Sequence, residues 1–348
     1  MLIFQKNRSW LAFLVVSVTL GQSALAANLK AGDPALQVWL LPDEVPQPEN
    51  NSMTPARVEL GKMLFWDTRL SGDGNMSCAT CHNPLFGWSD GLPTARGSKS
   101  RVLDRASPVV TNTAFNAVQM WDGRKRSLED QAMGPMEATV EMNMDIGRLF
   151  KWIKSNKGYQ EAFEKAYPGE GINQDTLSRA IASYERTIIS NDSPFDHWIK
   201  GDASAMTAQQ VNGFEIFLDA KRGNCAVCHS APNFVDNGFH NLGLASYGNE
   251  KPDMGRFTQL PLPRMKGAFK TPTLRDIALS APYFHDGSAA TLMEVMQTYA
   301  DHGYVEGNIS PEVTQINLTE QDMHDLVAFM EALTTPPKPV VLPVLPLN

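Results

Sequence analysis

The 348-residue chain has only four cysteines, and none is left over from two short motifs, "CATCH" (Cys78 to His82) and "CAVCH" (Cys225 to His229). That spacing argues against the two-disulfide framework that four cysteines would otherwise suggest in an exported chain. Positive charge is also short: 30 lysines and arginines face 38 acids, a net charge of −8. Nucleic acid and anionic membrane surfaces are therefore poor partners, whereas a basic patch on another protein would suit the charge. Beyond Leu20 no apolar run is long and uncharged enough to span a bilayer. Runs of alternating apolar and polar residues, the mark of half-buried strands, are missing as well.

The N-terminus reads as a secretory signal. Lys6 and Arg8 supply the charge, Trp10 to Leu20 the apolar core, and Ala24 to Ala26 an A-x-A cleavage site. Residues 1–26 are then removed, and the mature chain, starting near Ala27, is expected in the periplasm. The remainder is long enough for two domains.

Its pattern is helical, with start signals at Thr54-Pro55, Ser127, Asn173, Thr207 and Thr319. Helical periodicity also runs through "IGRLFKWIKS", "GYQEAFEKAY" and "ATLMEVMQTYADHG" (Ala290 to Gly303). In the last, Thr291 and Glu294 form a capping box and Gly303 fits the position after the helix. Each Cys-x-x-Cys-His motif follows a helix-like segment and precedes a long loop rich in Gly, Pro and Asn, so the chain reads as a divergent duplication. The fold class expected is mainly α, with two cytochrome c-like domains over residues 27–200 and 201–335. Their boundary falls in the polar stretch Ser190 to Met206, and residues 336–348 form a proline-rich tail that cannot be helical.

Cys-x-x-Cys-His is the attachment signature of c-type haem: two thiols form thioethers and the adjacent histidine ligates the iron. Zinc would need four ligands at one site, and each motif offers three. Cys78, Cys81, Cys225 and Cys228 are therefore expected to attach two haems, with His82 and His229 as proximal ligands. Whether the protein is a carrier or an enzyme depends on the far side of each iron, since an enzyme leaves one open.

"FNAVQMWDGRKRSLEDQAMGPMEATVEM" (Phe115 to Met142) and "FKTPTLRDIALSAPYFHDGSAATL" (Phe269 to Leu292) make the resemblance specific. With the two haem motifs they resemble the bacterial dihaem peroxidase superfamily, in its MauG- and MbnH-like branch, over most of residues 55–335. The resemblance implies that Gln131 and Glu141 lie over the open N-terminal haem. There a carboxylate would move a proton from the inner to the outer oxygen of peroxide. It also implies that Trp121 sits between the haems. Counted from "SAPYFHDG" without gaps, the far ligand of the C-terminal haem falls on Tyr299; Met296, one turn earlier on the same face, is its rival. Tyrosine marks the MauG-type enzymes and methionine the ordinary peroxidases. A phenolate stabilises high-valent iron, so that two haems can share the oxidising equivalents of peroxide.

Many of the peroxidases close the N-terminal haem with a loop histidine, and no histidine lies between His82 and Trp121 here. The sequence departs from the branch in two places. Gly223 and Asn224 stand where MauG has a tryptophan at its partner surface. Ala106 stands where these enzymes have the Asn ligand of a Ca²⁺ ion, although the carbonyls of Ser280 and Pro282 could still bind one. Three functions follow as expectations. One is a MauG-like oxidation of a partner protein, either a methylamine dehydrogenase precursor matured to tryptophan tryptophylquinone or a tryptophan of a copper-binding protein, driven by H₂O₂ or by O₂ plus a reductant. The second is reduction of H₂O₂ with electrons from a small cytochrome or cupredoxin. The third, a simple electron carrier, is opposed by Glu141 and the missing loop histidine.

Overall fold

The structure is a computed structural model that describes residues 29–301, 305 and 307–347. The signal segment 1–26 and Gly303 lie outside the described residues. Among those described there are eleven α-helices and one small sheet. The helices are α1 (Pro55–Trp66), α2 (Cys78–Cys81), α3 (Leu128–Ala132), α4 (Gly134–Glu137), α5 (Ile146–Ser155) and α6 (Lys157–Ala166), followed by α7 (Gln174–Glu185), α8 (Pro194–Ile199), α9 (Ala208–Leu218), α10 (Leu292–Ala300) and α11 (Glu320–Ala332). The sheet pairs β1 (Phe239–His240) with β2 (Phe269–Lys270), antiparallel.

The helix starts follow from side chains that satisfy orphan backbone donors. Thr54, Ser127, Asn173, Thr207 and Thr319 each accept a hydrogen bond from the first turn of α1, α3, α7, α9 and α11. In α10 Thr291 Oγ1 accepts from Glu294 N at 3.1 Å, but the box is displaced, since the Glu294 carboxylate takes Ala290 N at 2.6 Å.

Two helix pairs give the molecule two cores. α1 packs along α7, and α9 along α11. Each crossing is made close by a glycine. A Cβ on Gly61 would lie 1.8 Å from the carbonyl oxygen of Ala180, and one on Gly213 would lie 2.0 Å from that of Asp325. The same device in both halves supports the reading of a duplicated unit.

The cores do not divide at residue 200. Leu29, Leu36 and Trp39, together with Phe195, Trp198 and Ile199 of α8, are buried in the second cluster with Phe214, Phe234 and Phe329. The stretch expected to be a polar boundary contributes this helix because Asp196 is paired with Arg275, both side chains fully buried. Arg275 also donates to the carbonyls of Trp39 and Pro232. At the other end the tail has no helix over its described residues and crosses to the first half. Leu345 packs on the first core, and Arg69 Nη1 donates to Pro346 O at 3.0 Å.

Candidate haem-binding and catalytic site

Both cysteine motifs open into one cavity of about 1250 Å³. Its walls include Cys78, Cys81, His82, Cys225, Cys228 and His229. None of the four thiols is in a disulfide. Burial pushes Cys81 and Cys225 up to about 12, and Cys78 is raised as well. Such thiols are neutral and inert toward metal ions until a partner reacts with them.

The two histidines are held alike. His82 Nδ1 sits 3.2 Å from Trp88 O, and His229 Nδ1 sits 3.0 Å from Phe234 O. A carbonyl can only accept, so Nδ1 carries the proton and Nε2 keeps a lone pair for iron. Burial lowers both imidazoles to about 4, which keeps them neutral as a ligand requires. Trp88 and Phe234 both have left-handed backbones, φ 64° and φ 55°, which turn their carbonyls back toward the ring. A volume of this size with thiols, a neutral imidazole and largely apolar walls at each end fits two attached porphyrins.

Trp121, Gln131 and Glu141 all line this cavity. Gln131 is placed by α3, and Glu141 by the turn after α4, where its carbonyl accepts Ser98 N at 2.6 Å. Burial raises the Glu141 carboxyl above the ordinary range, while Arg124 opposes that shift. Trp121 bridges the halves: its Nε1 donates to Ala106 O at 2.9 Å and its carbonyl accepts Lys270 N at 2.8 Å. Asp122 fixes the motif by pairing with Arg105 and Arg124, and Arg105 reaches on to Asp253 in the second half.

Tyr299 and Met296 both face the cavity from α10; Met296 is buried at 6% exposure, and the Tyr299 ring meets Phe284 edge-on at 6.3 Å. Ala106, Ser280 and Pro282 line the same space. Asn224 is buried with φ 51°, turning the chain into Cys225, and its place suits a tight turn rather than a large surface indole.

Pro135 is among the wall residues that escaped the sequence reading. Met120-Trp121-Asp122-Gly123 and Phe284-His285-Asp286-Gly287 are the same turn, with Met120 and Phe284 left-handed and matching bridges from Gln119 to Lys125 and from Tyr283 to Ala289. Counting on from the two glycines, Pro135 falls where Tyr299 falls, and it too lines the cavity. Aligning the two turns would have found it. Proline offers iron no ligand atom, so the equivalent position in the first half is closed to ligation.

A paired arrangement of this kind, two haem-attachment motifs and one carboxylate-bearing wall, defines a two-centre c-type cytochrome built for redox chemistry. Residues 55–204 match the di-haem cytochrome c peroxidase family and residues 210–334 the cytochrome c family. The chain is 36% identical to the methylamine utilization protein MauG of Methylophilus methylotrophus, over 97% of this chain and 98% of that one. It is 33% identical to the cytochrome c551 peroxidase of Nitrosomonas europaea, over 95% and 93% of the two chains. The crystal structure of a MauG-like protein associated with microbial copper homeostasis superposes with a TM-score of 0.77 at 30% identity, covering 85% of this chain and 95% of that one. The chain belongs to the di-haem cytochrome c peroxidase family, whose members are enzymes carrying covalent haem c.

Proposed function

We propose that this protein is a MauG-like oxidoreductase of the periplasm that uses peroxide to oxidise residues of a partner protein. The observation that carries the reading is the asymmetry of the two equivalent turns: Tyr299 lines the cavity at the position counted from Gly287 where Pro135 lines it counted from Gly123. Haem supplies the capacity to take oxidising equivalents from peroxide. Glu141 accepts the proton of the inner peroxide oxygen and returns it to the outer one, and Gln131 orients the pair. Trp121, hydrogen-bonded into both halves, would be the aromatic bridge between the two haems when they are bound. Domains at 27–200 and 201–335, with the ends crossing over, would carry one centre each. Calcium would bind between the halves through the carbonyls of Ser280 and Pro282, with water in place of the side chain that Ala106 lacks. The likeness to a MauG and to a copper-associated relative supports a methylamine dehydrogenase precursor or a copper-binding protein as substrate.

A peroxidase drawing electrons from a small cytochrome or cupredoxin is the second reading. The deep burial of Met296 on the ligand face favours it.

The two are separated by Tyr299→His and Met296→Leu, read by electron paramagnetic resonance of the resting diferric protein and by spectra taken after addition of peroxide. On the first reading the wild type shows one high-spin and one low-spin centre. Tyr299→His stays low-spin at the second centre but loses the oxidised state shared by both. Met296→Leu changes no spectrum and costs under about 1.5 kcal/mol. Loss of the low-spin signal in Met296→Leu, with Tyr299→His silent, would establish the second reading.

A further inference from the structure

Glu185 is the last residue of α7 and lines the cavity, as does Ile181 one turn before it. The residue is 5% exposed, and its Oε2 is buried with no hydrogen-bond partner among the described residues. None of the roles assigned above uses it. The groups that act on it come from three elements. Arg186, which follows it as the cap of α7, is already committed to Glu129 of α3 and to the carbonyl of Pro46. Glu129 itself repels a charge on Glu185. Cys78 of α2 interacts with it electrostatically, and once joined to haem as a thioether it would not titrate. α1 turns Leu60 and Leu64 inward, keeps Glu59 exposed and Lys62 half-buried, and holds Arg57 at the Ala166 carbonyl. An ionised carboxylate without a partner is untenable in such a place, whereas a neutral carboxylic acid is tolerated. Burial accordingly pushes the carboxyl up to about 8.

We propose that Glu185 is a protonated carboxylic acid in the wall of the first haem's pocket, and that it releases its proton when that haem is oxidised. One electron passes from the iron to a one-electron acceptor such as ferricyanide, and one proton passes from the carboxyl O–H to solvent. The carboxylate left behind offsets the positive charge gained at the metal. Reduction reverses both transfers. Glu185 touches no substrate and acts through the haem. The inference requires haem on Cys78 and Cys81 but is independent of which partner protein is oxidised.

The test is a spectroelectrochemical titration of the dihaem protein from about pH 6 to about pH 10, comparing wild type with Glu185→Gln. In wild type the reduction potential of the first haem falls as pH rises through the carboxyl's range and then levels off. Glutamine keeps the shape and the neutral charge but has no proton to lose, so the potential in the variant is independent of pH over that window. The second haem behaves alike in both proteins. A flat wild type, or the same slope in the two proteins, overturns the proposal. Should the variant fail to assemble with both haems, redox-difference infrared spectra of the wild type decide. A carboxylic C=O band lost on oxidation and shifted in D₂O supports the proposal, and the lack of such a band overturns it.

Discussion

The proton-shuttle role proposed for Glu141 depends on its being half-buried: desolvation holds its proton more tightly than water would, while Arg124 opposes that shift. Glu141→Gln should leave both haem spectra intact and slow the reaction with peroxide by about 10²–10⁴-fold in stopped-flow mixing. The base must be ionised to act. Its carboxyl lies above the usual value of about 4.3. The wild-type rate should therefore fall on acidification at a pH above that value, and the variant should lose this limb. Unchanged kinetics would return Glu141 to a packing role. At this scale the sequence was legible where a wall residue belongs to a contiguous motif, as with His82, His229, Trp121 and Glu141, which all line the cavity. Pro135 was hidden because a proline just inside a short helix reads as an ordinary first-turn residue. Glu185 was hidden because a glutamate at a helix end, followed by arginine, reads as surface. Only the packing of α7 against α1 and α3 turns that position inward.

Helices with side-chain caps were legible because a cap is a local bond between neighbours in sequence. α8 was not: its six residues are too few to show a period, and what buries them is Arg275, far away in the chain. The crossing of α1 and α7 was legible as two helices but not as a close pair, since a lone glycine in a helix has many causes. The distance supplies the cause here. Gly61→Ala places a methyl carbon 1.8 Å from Ala180 O and must push the helices apart. The expected loss is about 1–3 kcal/mol in denaturant unfolding, at the upper end because the obstacle is backbone rather than a flexible side chain. Because α7 carries Glu185, the same change should also disturb the first haem's absorption spectrum. Full stability in the variant would mean that the helices are not as close as described.

The N-terminal segment and α8 are tied to the second core by more than apolar packing. Asp196 and Arg275 are fully buried, and Arg275 gathers Trp39, α8 and the loop after the second motif around one guanidinium. Removing the anion leaves that charge without a partner, and losses of about 3–5 kcal/mol follow when a buried pair is broken in this way. Asp196→Ala should lower the unfolding midpoint accordingly, while Asp192→Ala, at a part-exposed neighbour, should barely move it. Equal midpoints would show that the pair is not what holds the N-terminal segment.

That segment and the tail cross in opposite directions: Leu29, Leu36 and Trp39 complete the second core, and Leu345 completes the edge of the first. In a chain made and passed on from its N-terminus, the second half finds its N-terminal segment already made, whereas the first half lacks its last piece as it emerges. The cavity that takes Cys78 and Cys81 is walled in part by residues of the second half, Lys270 and Tyr283 among them, and stays open until they are made. The interlacing therefore delays closure, leaving an interval in which an attachment enzyme can reach thiols that the finished protein encloses.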